Sequence, residues 1–398
     1  MRFSQVLTTV FVAGVAAEPL ANVLAANNNT LSSLNSILAT MPQFTQALTT
    51  ASNITILAPS NDAFEQAMKA MPMLTSDMNM VTALLQYHVM PGVMMSTAFT
   101  ETPQFVSTLM GMPFAMVNGN QKVELVKMDN MAMIFSGFKQ MSSVTKADIA
   151  FDGGVVHVID KVLTIPMSPS VTAVDMGLTS LAGALTKTNM VTAVDGLSDV
   201  TIFAPSNKAF EAIGSAANGA SVTDLSTILS YHVLHGSDMA MFSTSLLMGG
   251  STSGTTMAMP AGMEGMNMKR QAMTSTPMSF ATLQGGNLNV RMENGKVFVN
   301  SAMVTTADII VSNGVIHVID NVLNPMMADA TPNPSATTQT PAFSGVTAVQ
   351  EAPFTSGITP TTTVTAGGMT GNGAGVFAAV PTAAILGAVG GAALMAGL

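Results

Sequence analysis

The sequence predicts an α+β protein of two tandem domains, because three short blocks occur twice in the same order and each copy mixes helical and strand patterns. The second copies begin 146, 144 and 160 residues after the first. A repeat of this length fits a whole globular domain and is too long for a solenoid unit. Since helices and strands do not alternate regularly, we expect α+β domains rather than a doubly wound α/β sheet. The pairs of blocks are Thr55–Glu65 with Thr201–Glu211, Tyr87–Val89 with Tyr231–Val233, and Gly154–Leu163 with Gly314–Leu323.

The composition limits the classes of function. Of 398 residues 48% are apolar and only 9% are charged, the net charge is −9, and Cys is absent. The sequence has no cluster of Lys and Arg, which binding to a nucleic-acid backbone requires. Without Cys there is no disulfide, thiol nucleophile or Cys-based metal site. We therefore expect no nucleic-acid partner, and a surface covered by Ser, Thr, Asn, Gly and sugar.

The first 17 residues are typical of a secretory signal peptide. A basic start at Met1-Arg2 precedes the apolar run Val6–Val15, and small residues suit cleavage before Glu18. A buried N-terminal helix is the alternative. In a secreted chain Asn28 and Asn53 are candidate N-glycosylation sites, because each begins an Asn-x-Thr sequon.

The first domain is expected to begin with an amphipathic helix, since Leu31, Leu34 and Leu38 recur at helical spacing. Residues 54–58 then predict a short apolar strand that ends at Pro59, which has no N–H for a sheet. Further strands are predicted at Lys122–Val126 and Val297–Val299.

Two pairs of equivalent residues mark the ends of helices. Ser60 and Ser206 follow the predicted strands and are candidate N-caps for short helices. Apolar residues at helical spacing over 78–85 and 225–229 lead to His88 and His232, so each histidine closes the apolar face of a helix.

The three blocks resemble the motifs of the fasciclin domain, namely T-x-F-A-P-x-N-x-A-F, a central Tyr-His, and N-G-x-x-H-V-I-D-x-V-L. The resemblance covers both copies and implies fasciclin-like domains at 18–166 and 167–325, each a β-wedge or sandwich packed with helices. It also implies that the Tyr-His region and an Asp-Ile pair before the third block take part in contacts with receptors in cell adhesion. The matching residues are Tyr87, His88, Asp148, Ile149, Tyr231, His232, Asp308 and Ile309.

A Met- and Gly-rich loop at 249–279 distinguishes the second domain. The two motif histidines are 69 residues apart in the first domain and 85 in the second, and the extra residues fall in this stretch. Lys269-Arg270 is a candidate processing site, and two solvated charges are the alternative. The chain has 36 Met, and their ordinary use is to fill cores. The Met-x-Met pairs of the loop make Cu(I) binding or oxidant buffering the alternative.

The C-terminal part changes composition. Residues 326–371 are rich in Thr, Pro and Ser and predict an O-glycosylated stalk that does not fold by itself. Residues 372–398 contain an uncharged apolar tail behind small residues, which is typical of the signal for a glycosylphosphatidylinositol anchor attached at Asn372 or a nearby Gly. A membrane helix is the alternative, since the 23 apolar residues are long enough to span a bilayer.

The sequence has no H-E-x-x-H, G-x-S-x-G, Walker or EF-hand pattern, so we expect neither an enzyme nor a cofactor. Four of the five His belong to the repeated blocks. They could form a metal pair in each domain, but buried histidines with internal hydrogen bonds are the favoured interpretation, and we expect no metal site.

These observations predict an extracellular glycoprotein, anchored to the plasma membrane by lipid and present in the cell wall. Its function would be adhesion or cell-wall and matrix interaction, with protein or polysaccharide as partner. This anchored, sugar-covered plan resembles fungal surface proteins. A Met-rich copper-binding or oxidant-buffering surface protein is the alternative.

Overall fold

The computed structural model describes residues 18–70, 77–235, 240–248 and 277–359. Within these ranges two seven-stranded sheets each carry helices, which confirms the α+β prediction. Several predicted features lie outside the described residues: the signal peptide, loop residues 249–276 with Lys269 and Arg270, and residues 360–398 with Asn372 and the apolar tail.

The first domain runs from helix α1 to strand β7. Its helices are α1 Leu20–Ala26, α2 Asn28–Ala39, α3 Pro42–Thr50, α4 Asn61–Ala70 and α5 Met78–Tyr87, with short 3-10 turns at Ser96–Ala98 and Gly137–Lys139. Its strands are β1 Ile54–Pro59, β2 Val89–Pro91, β3 Gln104–Ser107, β4 Lys122–Met128, β5 Met131–Phe135, β6 Met141–Phe151 and β7 Gly154–Ile159. The predicted amphipathic helix is α2, and the predicted strands at 54–58 and 122–126 are β1 and β4, so these three elements are confirmed. The domain does not begin with α2, however, because α1 precedes it.

The second domain repeats this order. Its helices are α6 Pro169–Asp175, α7 Thr179–Lys187, α8 Val191–Asp195, α9 Asn207–Ala212, α10 Gly214–Gly219, α11 Val222–Tyr231 and α12 Ser243–Met248, followed at the end by a 3-10 turn at Pro325–Met327. Its strands are β8 Val200–Pro205, β9 Val233–Leu234, β10 Met278–Ala281, β11 Asn287–Glu293, β12 Lys296–Val299, β13 Ala302–Val311 and β14 Gly314–Ile319.

The first and third repeated blocks of each domain pair with each other in space. Strand β1 lies parallel to β7 with Leu57 opposite His157, and β8 lies parallel to β14 with Phe203 opposite His317. The other pairs are antiparallel, in the orders β2-β1-β7-β6-β5-β4-β3 and β10-β11-β12-β13-β14-β8-β9. Every residue of β1, β8 and β14 is buried, which explains why apolar residues predominate on both faces of these strands instead of alternating with polar ones.

The predicted N-caps are present in both copies. The Ser60 hydroxyl accepts a hydrogen bond from the amide of Ala63, and the Ser206 hydroxyl accepts one from Ala209, each at 3.2 Å. These bonds satisfy amides that the first turn of a helix leaves without partners.

The two domains contact each other directly. The ring of Phe105 on β3 stacks on Phe242 of the second domain, with centroids 4.1 Å apart. The Met116 amide donates to the carbonyl of Ser312 at 2.7 Å, and the Gln121 side chain donates to the carbonyl of Val311 at 3.1 Å. The first domain therefore covers the end of β13.

A buried ion pair lies at this contact. Lys139 Nζ is 2.5 Å from Glu124 Oε2, and the two side chains are only 15% and 5% exposed. The same ammonium is 3.5 Å from the carbonyl oxygen of Asp308 in the second domain. Burial raises the pKa of the Glu124 carboxyl, and the charge of Lys139 opposes that rise.

Residues 343–358, which we call the strap, pack on the second domain. Phe343, Val346, Phe354 and Ile358 contact the core beneath its helices. The strap also forms backbone hydrogen bonds, from the Val349 amide to the carbonyl of Glu211 and from the Ser215 amide to the carbonyl of Thr347, both at 3.0 Å. Phe354 stands edge-on to Phe210 with centroids 6.0 Å apart, and Lys187 Nζ lies 4.9 Å from the Phe354 ring.

The strap differs from the stalk predicted over 326–371. That prediction took the Thr/Pro/Ser composition as unable to fold, which holds for a segment alone. A few apolar side chains suffice when a groove on a folded domain already exists to receive them. Asn321 and Asn324 add to this, since their side-chain amides donate to the carbonyls of Thr340 and Ala342 at 2.7 and 2.8 Å.

We predict that Lys139→Ala lowers the free energy of unfolding by about 3 kcal/mol, because it leaves the buried Glu124 carboxylate unpaired. Urea unfolding followed by circular dichroism measures this change. Lys69→Ala is the matched control, since Lys69 and Glu65 are also 2.5 Å apart but both exposed, and should change stability little. Equal effects of the two variants would contradict a structural role for the buried pair.

We predict that Phe354→Ala lowers the stability of the second domain by about 1–3 kcal/mol, because the ring loses its contacts with Phe210 and Lys187. The same unfolding measurement tests this. Ser356→Ala, at an exposed strap position, is the control. If both variants unfold at the wild-type midpoint, the strap is not docked.

Candidate functional site

The Tyr-His pairs of the second block lie inside their domains. Tyr87 and Tyr231 are fully buried, and their hydroxyls donate to the carbonyls of Lys122 at 3.0 Å and Asn287 at 2.6 Å. Burial raises the pKa of both hydroxyls. These tyrosines therefore link the ends of α5 and α11 to strands β4 and β11. Their side chains are not accessible to a receptor in this structure.

His88 and His232 make the same two hydrogen bonds in the two domains. Each Nδ1–H donates to a carbonyl one helical turn earlier, that of Leu84 at 2.7 Å or Ile228 at 2.8 Å. Each Nε2 accepts from the backbone amide after the last strand, that of Leu163 or Leu323, at 2.9 Å. Both rings are buried. The Tyr-His pairs thus hold the fold, and a contact through them would require the domain to open.

The histidines on β7 and β14 bind the loops that follow β2 and β9. His157 Nε2–H donates to the carbonyl of Met94 at 2.7 Å, and Nδ1 accepts from the amide of Asp148 at 3.1 Å. His317 does the same with Met241 at 3.0 Å and Asp308 at 3.3 Å. Since one nitrogen donates and the other accepts, each ring is held as a single neutral tautomer.

The Asp of each Asp-Ile pair completes this arrangement. Asp148 and Asp308 adopt positive φ of 60° and 62°. Their carboxylates accept from the amides of Ser96 and Ser243, both at 2.7 Å, and also from the hydroxyls of these serines. Partial burial raises the pKa of the Asp148 carboxyl, but the hydrogen bonds from Ser96 outweigh it, and the pKa lies below its ordinary value.

Ser96 and Ser243 were not predicted from the sequence. Met94-Met95-Ser96 corresponds to Met241-Phe242-Ser243, so a Met-x-Ser pattern was present. It follows the motif histidine by different distances, however, six residues from His88 to Met94 and nine from His232 to Met241. This shift hid the equivalence.

The same face of the fold is covered in one domain and open in the other. In the second domain Ala240, Phe242 and Ile310 are 6%, 4% and 1% exposed, because the first domain packs against them. Their counterparts in the first domain are Val93, Met95 and Ala150.

Val93 and Met95 are 48% and 40% exposed, and Ala150 is exposed too. The Asp148 side chain between them is 29% exposed, whereas Asp308 is 3% exposed. We call Val93, Met95, Asp148 and Ala150 the open face.

The Ile of each Asp-Ile pair does not belong to this surface. Ile149 is partly buried against the core beneath the helices, and Ile309 is completely buried. Of the eight residues that the resemblance implicates in contacts, Asp148 alone has a side chain at the open face.

The candidate glycosylation sites are both at the surface. Asn28 is the first residue of α2 and Asn53 directly precedes β1, and both are exposed. Asp199 stands where Asn53 stands in the first domain, and its carboxylate accepts from the Asn118 amide at 2.8 Å. The position of Asn53 therefore borders the open face.

Two further findings concern the described residues. Within them no group of three or more His, Asp or Glu side chains is placed to hold a metal ion. None of the helices in the described ranges is long and apolar enough to cross a membrane.

Comparison with known proteins identifies the family. The fasciclin domain matches residues 29–166 and 176–325, so the chain belongs to the fasciclin-domain family. A fasciclin-like arabinogalactan protein of Arthroderma benhamiae is 32% identical over 351 residues, which are 87% of this chain and 76% of the relative. The fasciclin-like arabinogalactan protein elcF of Phaeosphaeria nodorum is 26% identical over 80% of this chain and 92% of its own length.

A solved FAS1 domain pair from the insect cell adhesion molecule Fasciclin I covers 77% of this chain and 97% of its own, at 18% identity and a TM-score of 0.33.

We predict that acid destabilises the protein through its buried histidines. Burial lowers the pKa of His88 and His232 to about 4, despite the opposing hydrogen bonds to Leu84 and Ile228. The ordinary pKa in the unfolded chain is about 6.5. The unfolded state therefore binds more protons between these values, and the stability present above pH 6.5 is lost as the pH falls toward 4.

From pH 7 to pH 5 the loss should be about 2 kcal/mol for each of the two histidines. Urea unfolding at the two pH values measures it. His232→Gln should remove its share of the pH dependence, whereas His235→Gln, at an exposed histidine, should leave it unchanged. Equal stability of the wild type at pH 7 and pH 5 would contradict neutral burial.

Proposed function

We propose that this chain is an extracellular surface glycoprotein that mediates adhesion or cell-wall and matrix contacts through the open face of its first domain. A glycosylphosphatidylinositol anchor would hold it on the plasma membrane. The proposal rests on one observation: the face that the second domain buries against protein is exposed, with its apolar residues, in the first domain.

The chemistry of the covered face indicates what the open face would bind. In the second domain the first domain supplies an aromatic ring, Phe105, and an ammonium group, Lys139, which lies beside the carbonyl of Asp308. The open face offers Val93 and Met95 for apolar contact and a partly exposed carboxylate, Asp148. A partner with an aromatic and a basic group would complement it, as complementary charge and apolar burial do at other interfaces.

A face of a few residues supports only weak binding. Interfaces that form stable complexes bury about 800 Å² on each partner. Many copies anchored on one surface would act together, so that weak contacts become strong in sum. The predicted lipid anchor fits this mode of action, and the exposed sequons and arabinogalactan-protein relatives support a glycoprotein.

The first test is the release of the protein from intact cells by a phospholipase that cleaves the predicted anchor. Binding of the released protein to fresh cells and to cell-wall polysaccharide is then measured. We expect release and saturable binding. Retention of the protein on the cells would contradict the anchor, and release without binding would contradict adhesion.

We predict that Met95→Asp weakens this binding about tenfold or more, because it places a second carboxylate beside Asp148 where apolar contact is required. Met131→Asp is the matched control, since Met131 is 50% exposed at the start of β5. Trimming the N-linked sugar with an endoglycosidase, which leaves the Asn53 side chain and its hydrogen bond from the Val93 amide in place, separates contact by sugar from contact by the protein surface. If Met95→Asp and Met131→Asp bind alike, the open face is not the contact.

A further inference from the structure

The strap occupies a groove that the second domain forms between α7 and α9. Two glycines shape this groove. A Cβ added to Gly183 would overlap the carbonyl oxygen of Phe354, and a Cβ added to Gly214 would overlap the side chain of Val349. For both glycines the nearest atoms belong to the strap, so the groove is fitted to this segment.

The first domain has an equivalent groove, which among the described residues is lined by α2 and α4 alone. Ser33 donates its amide to the side chain of Asn61 at 2.9 Å, and Ser180 does so to Asn207 at 3.0 Å, which fixes the equivalence of the two helix pairs. The groove of the first domain is an open depression of about 530 Å³.

In the first domain the positions of Gly183 and Gly214 are taken by Ser36 and Met68. A strap docked there as in the second domain would meet these side chains, whereas the glycines leave room for it. The strap is therefore selective for the groove of the second domain, although both grooves share the same phenylalanine, Phe64 or Phe210.

We propose that the strap of one copy also docks in the second-domain groove of another copy, so that the protein forms strap-exchanged assemblies. The contacts are the same within one chain and between chains when residues 339–342, which Asn321 and Asn324 bind, move with the strap, so exchange loses none of them. Residues 331–338 before them are exposed or half-buried and contain Pro332 and Pro334, so the chain would cross between copies there.

Concentration decides between the two arrangements. A strap on a short tether meets its own groove at an effective concentration of about millimolar. Exchange therefore increases as copies crowd together, as they would on a membrane surface. In solution the exchange is independent of the anchor and of the adhesion proposed above, so each can fail without the other.

Disulfide trapping tests this in the full chain, which has no Cys of its own. An added Cβ at Gly214 lies 2.8 Å from Cβ of Val349, so after a small shift cysteines at these positions reach disulfide distance, about 3.8 Å between Cβ atoms. Gly214→Cys and Val349→Cys in one chain should close an internal disulfide, seen as faster migration without reductant.

The two single variants are then mixed and oxidised mildly. We expect a covalent dimer between Gly214→Cys and Val349→Cys chains, in a yield that rises with protein concentration. The matched control is Met68→Cys mixed with Val349→Cys. Met68 is 44% exposed, so random collision would favour the control, whereas exchange favours Gly214→Cys by several-fold.

A yield with Gly214→Cys no higher than with Met68→Cys, while the internal disulfide closes, would show that the strap docks only in its own chain and would overturn the proposal. Failure of the internal disulfide would overturn it as well, because the strap would then not occupy the groove.

Discussion

The fold depends on four buried histidines whose ring nitrogens are all hydrogen-bonded. Each ring uses one nitrogen as donor and the other as acceptor, and each joins segments distant in the chain, such as His88 with Leu163 and His232 with Leu323. An imidazolium has no acceptor, so protonation would break one of the two bonds at each ring. These histidine hydrogen bonds support three other features. They are the buried tyrosines, the parallel pairing of the repeated strands, and the loops that end at Ser96 and Ser243.

The interior of the domains was predictable from the sequence, and their surfaces were not. Strand β1, helix α2 and the caps at Ser60 and Ser206 follow from local apolar spacing and capping residues, which act over a few positions. Asp308 is covered and Asp148 is open because the first domain packs on the second, through residues more than a hundred positions earlier in the chain. The tripeptide Ala-Asp-Ile is the same in both copies, and the other positions of the open face and of its covered counterpart differ but stay apolar, so no local pattern separates them.

The strap shows the same limit in another form. Its Thr/Pro/Ser composition predicts a segment without a core of its own, whereas in the structure it packs on the core of the second domain. The groove that receives it was visible only as two glycines, Gly183 and Gly214, where the first domain has Ser36 and Met68. The two domains thus share the same interior but differ at their surfaces. Within the described residues two faces of the second domain are covered, and the equivalent faces of the first domain are open.

The position of the strap has a mechanical consequence. Any pull on the residues beyond 359 enters the second domain through the strap, because the strap lies between them and the sheet. The load reaches Ile358 and Phe354 first and then the backbone bonds at Val349 and Thr347. The strap would come away in steps before tension reached β14, so that a tethered molecule lengthens under force while both sheets stay intact.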